Sequence, residues 1–234
     1  MTKALAAMLL AIAVPSKAYV PTSDYHEERI EGFTVLISPE AASHPTWLRK
    51  LRDELRDQLR VVSDVLPDGS LPALRRTRIW IEWRNKEGTA AEFHSSEAWL
   101  WANEYNPEKF SGIEINNTVN FVTWSHDLDA PIILHELAHA YLASLSDYEQ
   151  LLIHLAYLDA RDSGSYELVR HRDGQEHRAH AMTDTQEYFA ELTVAYFSRN
   201  HCYPFRRSEL RKHDPQGFSA LSRAWGAAEH RAAP

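Results

Sequence analysis

The sequence has only one cysteine in 234 residues, Cys202, so it excludes an internal disulfide, a CxxC pair and a zinc site of several cysteines. It also has no basic run. Its 33 Asp and Glu outnumber its 25 Lys and Arg, which gives a formal net charge of −8. An acidic chain of this kind cannot gain from counterion release along a phosphate backbone, and we therefore expect no nucleic-acid partner. With only 8 Gly, 11 Pro and 44% hydrophobic residues, the composition is typical of a folded chain.

Long hydrophobic runs are also absent, and the most apolar stretch, residues 4–15, is too short to span a bilayer. It follows Lys3 and is followed by Ser16 and Ala18, small residues at the −3 and −1 positions of a signal-peptidase site. We therefore predict a signal peptide over residues 1–18 and a mature chain, residues 19–234, that is exported to the periplasm or secreted. We expect no stable membrane association, and the sequence does not predict an oligomeric state.

The remaining chain has the pattern of an α+β domain. Apolar runs and alternation predict strands at 33–37, 76–83, 113–115 and 119–124, with one face of 76–83 buried. Three- and four-residue apolar spacing predicts helices at 47–66, 131–145, 148–162, 185–198 and 218–228. Most strands precede most helices, so we predict a single domain with a small N-terminal mixed sheet and a mainly helical C-terminal half.

Histidine is abundant, with 13 residues, and two of these lie in the motif His135-Glu136-Leu137-Ala138-His139. Residues four apart on a helix project from the same face, so His135 and His139 can bind one metal ion. Glu136 lies beside that position and can act as a base toward water. The alternative is an ordinary helix with solvated histidines, which the apolar residues around the motif disfavour.

A second motif, Glu187-Tyr188-Phe189-Ala190-Glu191, places two carboxylates one helical turn apart. A catalytic zinc commonly has two histidines and one carboxylate as ligands, and a further carboxylate can accept the free N–H of a ligand histidine. Glu187 and Glu191 can divide these two roles between them; the alternative is a solvated acidic face. Leu142 and Leu145 stand where the longer HExxHxxGxxH motif has its glycine and third histidine.

Together, HELAHAY and EYFAE resemble the motifs of the gluzincin metallopeptidases, in particular the lethal factor type of catalytic domain. The resemblance implies a zincin-like fold with the sheet packed on an active-site helix, and one Zn²⁺ per chain. It also implies that His135, His139 and Glu187 are the zinc ligands, that Glu136 is the general base, and that Glu191 orients a ligand histidine. The chain is also similar to a group of exported bacterial proteins of about this length, through Trp99-Leu100, 106–109, 113–115, 203–205 and 213–215, besides the two motifs.

One position departs from the lethal factor type, which has a tyrosine seven residues before the glutamate ligand to stabilise the developing oxyanion. Here that position is His180. Because a histidine can donate a hydrogen bond to an oxyanion, we predict His180 as a catalytic residue, with His177 and Tyr203 as substitutes; the alternative is a loop histidine with no task. His94 and His201 are predicted to be surface or loop residues.

These features predict a zinc metallopeptidase that hydrolyses a peptide or protein substrate. The substrate is expected to add as a strand to an edge formed by residues 113–124. Two alternatives remain open at this point. One is a zinc-binding exported protein without protease activity, and the other is a metal-dependent hydrolase of cell-wall peptides or other amides.

Overall fold

The computed structural model describes residues 19–128 and 131–226. Its strands are β1 (His26–Ile30), β2 (Phe33–Ile37), β3 (Ile79–Ile81), β4 (Glu92–Phe93), β5 (Ile113–Ile115), β6 (Val169–Arg170) and β7 (Glu176–His177). Its α-helices are α1 (Pro39–Ala42), α2 (Pro45–Val65), α3 (Leu71–Leu74), α4 (Glu97–Ala102), α5 (Thr118–Leu128), α6 (Ile132–Leu142), α7 (Asp147–Ser163), α8 (Thr185–Phe197), α9 (Arg207–His213) and α10 (Pro215–Ala224). Short 3₁₀ helices span Thr22–Asp24, Pro107–Lys109 and His180–Met182.

Two sequence predictions fall partly or wholly outside these described residues. The signal peptide, residues 1–18, lies outside them, as do the last two residues of the helix predicted at 218–228. Among the described helices, none has the length and apolar character that a membrane crossing requires.

Five strands form a mixed sheet in the order β1-β2-β3-β5-β4. The three central strands β2, β3 and β5 are parallel, with Val35 opposite Ile79 and Ile79 opposite Ile113, whereas β1 and β4 pair antiparallel to their neighbours. This small mixed sheet and the helices that follow it confirm the α+β prediction. Strands β6 and β7 form a separate two-stranded hairpin, inside the segment between α7 and α8.

Helix α2 supports α6, the helix that contains His135 and His139. Its leucines recur at three- and four-residue steps, and Leu51, Leu55 and Leu59 are fully buried. This apolar face packs on α5 and α6, while α6 also lies against α8 and β4. Helix α6 is therefore surrounded, which fits its nearly continuous apolar sequence.

The strand predicted at 76–83 is shorter than expected and is buried on both faces. Ile79 and Ile81 face the core on one side, and Trp80, on the other side, is also fully buried. Tyr25 covers Trp80 with an edge-to-face contact of 5.0 Å between ring centroids. The prediction of one exposed face was wrong because the N-terminal segment folds over that side of the sheet.

The strand predicted at 119–124 is part of helix α5. The Asn117 side chain accepts a hydrogen bond from the backbone N–H of Asn120 at 3.0 Å, in the manner of a helix N-cap. Phe121 and Ser125, one turn apart, are buried and face the neighbouring helices. Capping and packing therefore outweigh the β-propensity of the apolar residues in this segment.

The prediction that residues 113–124 form an edge of the sheet is also wrong. Strand β5 is an interior strand between β3 and β4, and the rest of that range is helical. The edge strand is β4, which lies beside α6. Any peptide that extends the sheet on this side would pair with β4.

Candidate metal centre

Three side chains from two helices converge on one point. The Nε2 atom of His135 lies 3.1 Å from Nε2 of His139 and 3.0 Å from Oε2 of Glu187. His139 Nε2 lies 3.7 Å from Glu187 Oε1. The two sequence motifs, separated along the chain by α7 and the hairpin, thus form one cluster with the composition of a metal site.

Both helices present these groups because of local sequence features. His135 and His139 are one turn apart on α6, so their rings face the same side, with centroids 4.8 Å apart. Helix α8 begins after Asp184, whose carboxylate accepts the backbone N–H groups of Gln186 and Glu187 at 2.8 and 2.9 Å. Glu187 is therefore in the first turn of α8, at a helix end that favours a negative charge.

The pKa values of the three groups depend on their contacts with one another. Burial would lower the pKa of His135, but hydrogen bonds to Glu187 and Glu191 outweigh it and keep the pKa well above its ordinary value. Burial would raise the pKa of Glu187, but hydrogen bonds from His135 and His180 lower it strongly. Burial and the neighbouring His135 lower the pKa of His139 to about 4, so His139 is neutral at pH 7. A neutral imidazole can offer a lone pair to a metal ion.

The cluster fits a zinc ion. Ligand atoms in a tetrahedral zinc site with bonds of about 2.0–2.2 Å lie about 3.3–3.6 Å apart. The two Nε2 atoms are 3.1 Å apart, and the two carboxylate oxygens of Glu187 lie 3.0 Å from His135 Nε2 (Oε2) and 3.7 Å from His139 Nε2 (Oε1), close to that range. The buried Nδ1 atom of His139 has no hydrogen-bond partner among the described residues, which makes a doubly protonated imidazole costly there. Two histidines and one carboxylate are also a common zinc ligand set.

Glu191 lies behind His135, on the side away from the cavity. One carboxylate oxygen, Oε1, is 3.4 Å from His135 Nδ1, and the residue is only 3% exposed. Burial would raise the pKa of Glu191, but the hydrogen bond from His135 and the nearby His201 outweigh burial and hold it at about 2. A charged carboxylate at this position fixes Nδ1 of His135 as the protonated nitrogen and leaves Nε2 for a metal.

A cavity of about 340 Å³ opens above the cluster. Its lining includes Glu136 and Glu187 on the helices and Thr89, Glu92 and Phe93 on the segment that contains β4. Burial raises the pKa of Glu136 to about 7, and the nearby backbone of Phe93 opposes part of this rise. The carboxylate predicted as a base therefore lies in the cavity, close to the edge strand.

The structure brings His180 to the same cavity. His180 lies in a 3₁₀ helix just before α8, and its Nε2 atom is 3.1 Å from Oε2 of Glu187. Its ring is stacked near His135, with centroids 6.3 Å apart, and its side chain is 54% exposed. The hydrogen bond to Glu187, the largest influence, raises the pKa of His180.

The two substitutes for His180 lie elsewhere. His177 is exposed on β7, with its ring against His171, and Tyr203 packs against Phe205 and His213. Neither is among the described residues that line the cavity. Of the three residues considered for the oxyanion role, His180 is the one beside the metal cluster.

His94 was predicted to be a surface or loop residue; it lies in the loop directly after β4, but it is buried and not at the surface. His94 is 5% exposed, and its Nε2 atom lies 2.6 Å from Oε2 of the buried Glu114. Lys109 donates to the other oxygen of Glu114 and to Glu82, both at 2.7 Å. This buried charge cluster lies next to β4. His201 does lie in a loop and is partly exposed, with Nδ1 4.0 Å from Glu191 Oε2.

Sequence reasoning did not find Asn200, Gln58 or the lining segment Thr89–Phe93. Each lies in an ordinary polar or apolar context, and nothing in its local spacing indicates that it contacts the site. The chain matches no protein-family model, no curated protein and no solved structure.

Proposed function

We propose that the protein is an exported zinc metallopeptidase of the gluzincin class with a zincin-like fold. The observation that carries the proposal is the convergence of His135, His139 and Glu187, with Glu136 beside them in a cavity bordered by an edge strand. His135, His139 and Glu187 would be the ligands of one Zn²⁺ ion. A site that only stabilised the fold would not need Glu136 or an open cavity.

Glu136 supplies the acid–base chemistry in this proposal. When bound, zinc lowers the pKa of a water molecule and polarises the carbonyl group of the substrate. The Glu136 carboxylate takes a proton from the attacking water and delivers it to the nitrogen of the departing amine. The carboxylate lies close to the backbone of Phe93, in the cavity that the substrate would enter.

His180 and β4 supply oxyanion stabilisation and substrate binding. His180 is a donor within the cavity, and an imidazole N–H aimed at the developing oxyanion stabilises the transition state. Strand β4 is the terminal strand of the sheet, and its segment lines the cavity. An extended peptide can pair with that edge, so its backbone contributes affinity and its carbonyl groups pass above the metal ligands.

The experiment that tests this proposal compares the purified protein with Glu136→Gln. Metal content, cleavage of a peptide library and cleavage of peptidoglycan fragments are measured with and without a chelator. We expect about one zinc per chain in both proteins, chelator-sensitive peptide hydrolysis by the wild type, and a loss of hydrolysis of at least about 10²-fold in the variant.

The control is Gln186→Ala, since Gln186 also lines the cavity but is exposed and has no role in the proposed chemistry. Absence of zinc, or hydrolysis that resists the chelator, would contradict the proposal. Zinc without cleavage of any substrate would indicate a binding protein, and cleavage of peptidoglycan fragments alone would redirect the proposal to cell-wall peptides.

A further inference from the structure

The loop after α8 turns back over the centre of the molecule and buries a polar side chain beside the metal cluster. Asn200 lies three residues beyond the end of α8 and is only 3% exposed. Its backbone N–H donates to the carbonyl oxygen of Phe205 at 2.9 Å, which closes the loop. A buried carboxamide is costly unless its donors and acceptor are satisfied, so its partners identify what the position requires.

The orientation of the Asn200 amide is fixed by two hydrogen bonds of opposite sense. Its Oδ1 atom accepts the backbone N–H of His201 at 2.8 Å, and its Nδ2 atom donates to Oε2 of Glu191 at 2.9 Å. Reversing the amide would place its NH₂ group against an N–H donor and its oxygen against a carboxylate oxygen. Only the observed orientation satisfies both neighbours.

The carboxylate of Glu191 therefore has its two oxygens assigned to different partners. Oε2 faces Asn200, with the thiol of Cys202 at 3.6 Å as a weaker second donor, and Oε1 faces His135 Nδ1 at 3.4 Å. Without Asn200, Oε2 would keep only the weak thiol donor of Cys202 at 3.6 Å and the His201 ring at 4.0 Å, so the carboxylate would be held less firmly. The contact with His135 depends on the donor at the opposite oxygen.

We propose that Asn200 is a positioning residue for the metal centre, which holds Glu191 in the orientation that accepts the Nδ1–H of His135 and so directs Nε2 of His135 at the metal. The inference rests on the proposed function, because it requires His135 to be a zinc ligand. It adds a second residue behind the ligand, so that a line of contacts runs from Asn200 through Glu191 to His135. Partners of this kind typically change metal affinity by about 10–100-fold when they are removed.

The experiment uses a charge and hydrogen-bond swap and measures zinc affinity by competition with a chromophoric chelator. Asn200→Asp sets a carboxylate against Glu191, and we expect zinc affinity to fall by about 10–100-fold. Glu191→Gln sets two amides together, which turns an NH₂ group toward Nδ1–H of His135 and should also weaken binding. In the double variant the amide introduced at position 191 can donate to the carboxylate introduced at position 200, while its oxygen accepts from His135. The double variant should therefore bind zinc more tightly than either single variant.

A second variant makes the test independent of the added charge. Asn200→Ala removes the donor, and we expect about tenfold weaker zinc binding that Glu191→Gln does not rescue. Ser198→Ala, at the start of the same loop, is the control; it should retain zinc affinity within about threefold, because Ser198 lines a different cavity from the one above His135, His139 and Glu187. Melting temperatures of the metal-free proteins are measured alongside, since a purely structural role would lower them and leave zinc affinity unchanged.

Three outcomes would overturn the inference. Zinc affinity in Asn200→Ala or Asn200→Asp equal to the wild type would remove Asn200 from the site. A double variant no tighter than the single variants would remove the proposed line of contacts. If the wild-type protein itself binds no zinc, both this inference and the proposed function fail, whereas the first two outcomes leave the zinc site and its peptidase activity in place.

Discussion

The side-chain oxygen of Gln58 accepts a hydrogen bond of 2.9 Å from the backbone N–H of Ile133 in the first turn of α6. Gln58 is 6% exposed, and its amide group also donates to Ser125 Oγ at 2.8 Å. The residue at the N-cap of α6 is Pro131, which provides no side-chain capping bond. Helix α2 therefore supplies the cap that α6 lacks in its own sequence.

We predict that Gln58→Leu lowers the free energy of unfolding by about 1–3 kcal/mol, because it leaves the buried N–H of Ile133 without its acceptor and removes the donor to Ser125 Oγ. Urea denaturation followed by circular dichroism measures this change. Asp57→Ala, on the exposed side of the same helix, is the control and should stay within about 0.5 kcal/mol of the wild type. Equal stability of Gln58→Leu and the control would show that the cap is not needed.

Glu187→Ala should lose zinc, since it removes one of the three proposed ligands and leaves two histidines facing each other. We expect zinc affinity to fall by more than about 100-fold and the zinc-dependent rise in melting temperature to disappear. Metal analysis after dialysis and thermal unfolding with and without zinc provide the measurements. Gln186→Ala, one residue away in the same cavity, should keep its zinc; normal zinc content in Glu187→Ala would remove Glu187 as a ligand.

His180→Ala should lower kcat by about 10²–10³ if His180 stabilises the oxyanion. His180 also contacts Glu187 at 3.1 Å, so zinc content is measured in the same preparation to separate catalysis from metal loss. His180→Tyr retains a donor of similar reach, and we expect it to recover part of the lost turnover. Wild-type turnover in His180→Ala would retire the assignment.

The buried cluster around Lys109 predicts how stability depends on pH. Burial would raise the pKa of Glu114, but the hydrogen bond from His94 and the Lys109 ammonium outweigh it, so the pKa lies below its ordinary value of 4.5. The unfolded chain therefore binds the proton more readily than the folded protein. The stability that Glu114 contributes is present above pH 4.5 and is lost as the pH falls through its folded pKa.

Glu114→Gln tests this pH dependence. We expect the variant to be less stable by about 1.5–3 kcal/mol at pH 7, and the difference to shrink as the pH falls below 4.5. Unfolding free energies measured from about pH 7 to about pH 3 give the difference curve. Glu108→Gln, on the exposed surface next to Lys109, should change stability by less than about 0.5 kcal/mol; a constant difference for Glu114→Gln across this range would contradict the assignment.

Features that depend on residues close in sequence were the ones that could be predicted. His135 and His139 share a face because of helical periodicity alone, and the same holds for Glu187 and Glu191. The buried stripe of α2 followed from its leucine spacing. These patterns repeat within one element, so the local sequence contains all the information they require.

Features that depend on contacts with other segments of the folded chain could not be predicted in this way. Residues 119–124 have a β-prone composition, but a capping bond from Asn117 and the packing of Phe121 make them helical. Lys109 and Glu82 are far apart in the sequence and meet only in the folded protein. In the same way, the sequence around His94 gave no sign of its buried partner. Asn200 reaches Glu191 only because the loop after α8 folds back.

The carboxylate of Glu136, the proposed general base, lies close to the backbone of Phe93 in β4, the strand on which a substrate would pair. In the proposed enzyme, one strand would then set both the position of the base and the alignment of the peptide. The register in which the peptide pairs with β4 would then select the peptide bond that is cleaved. Side-chain preferences would act only within that register. A bulky side chain would change how tightly a peptide binds, while the backbone hydrogen bonds to β4 would decide where the peptide is cleaved.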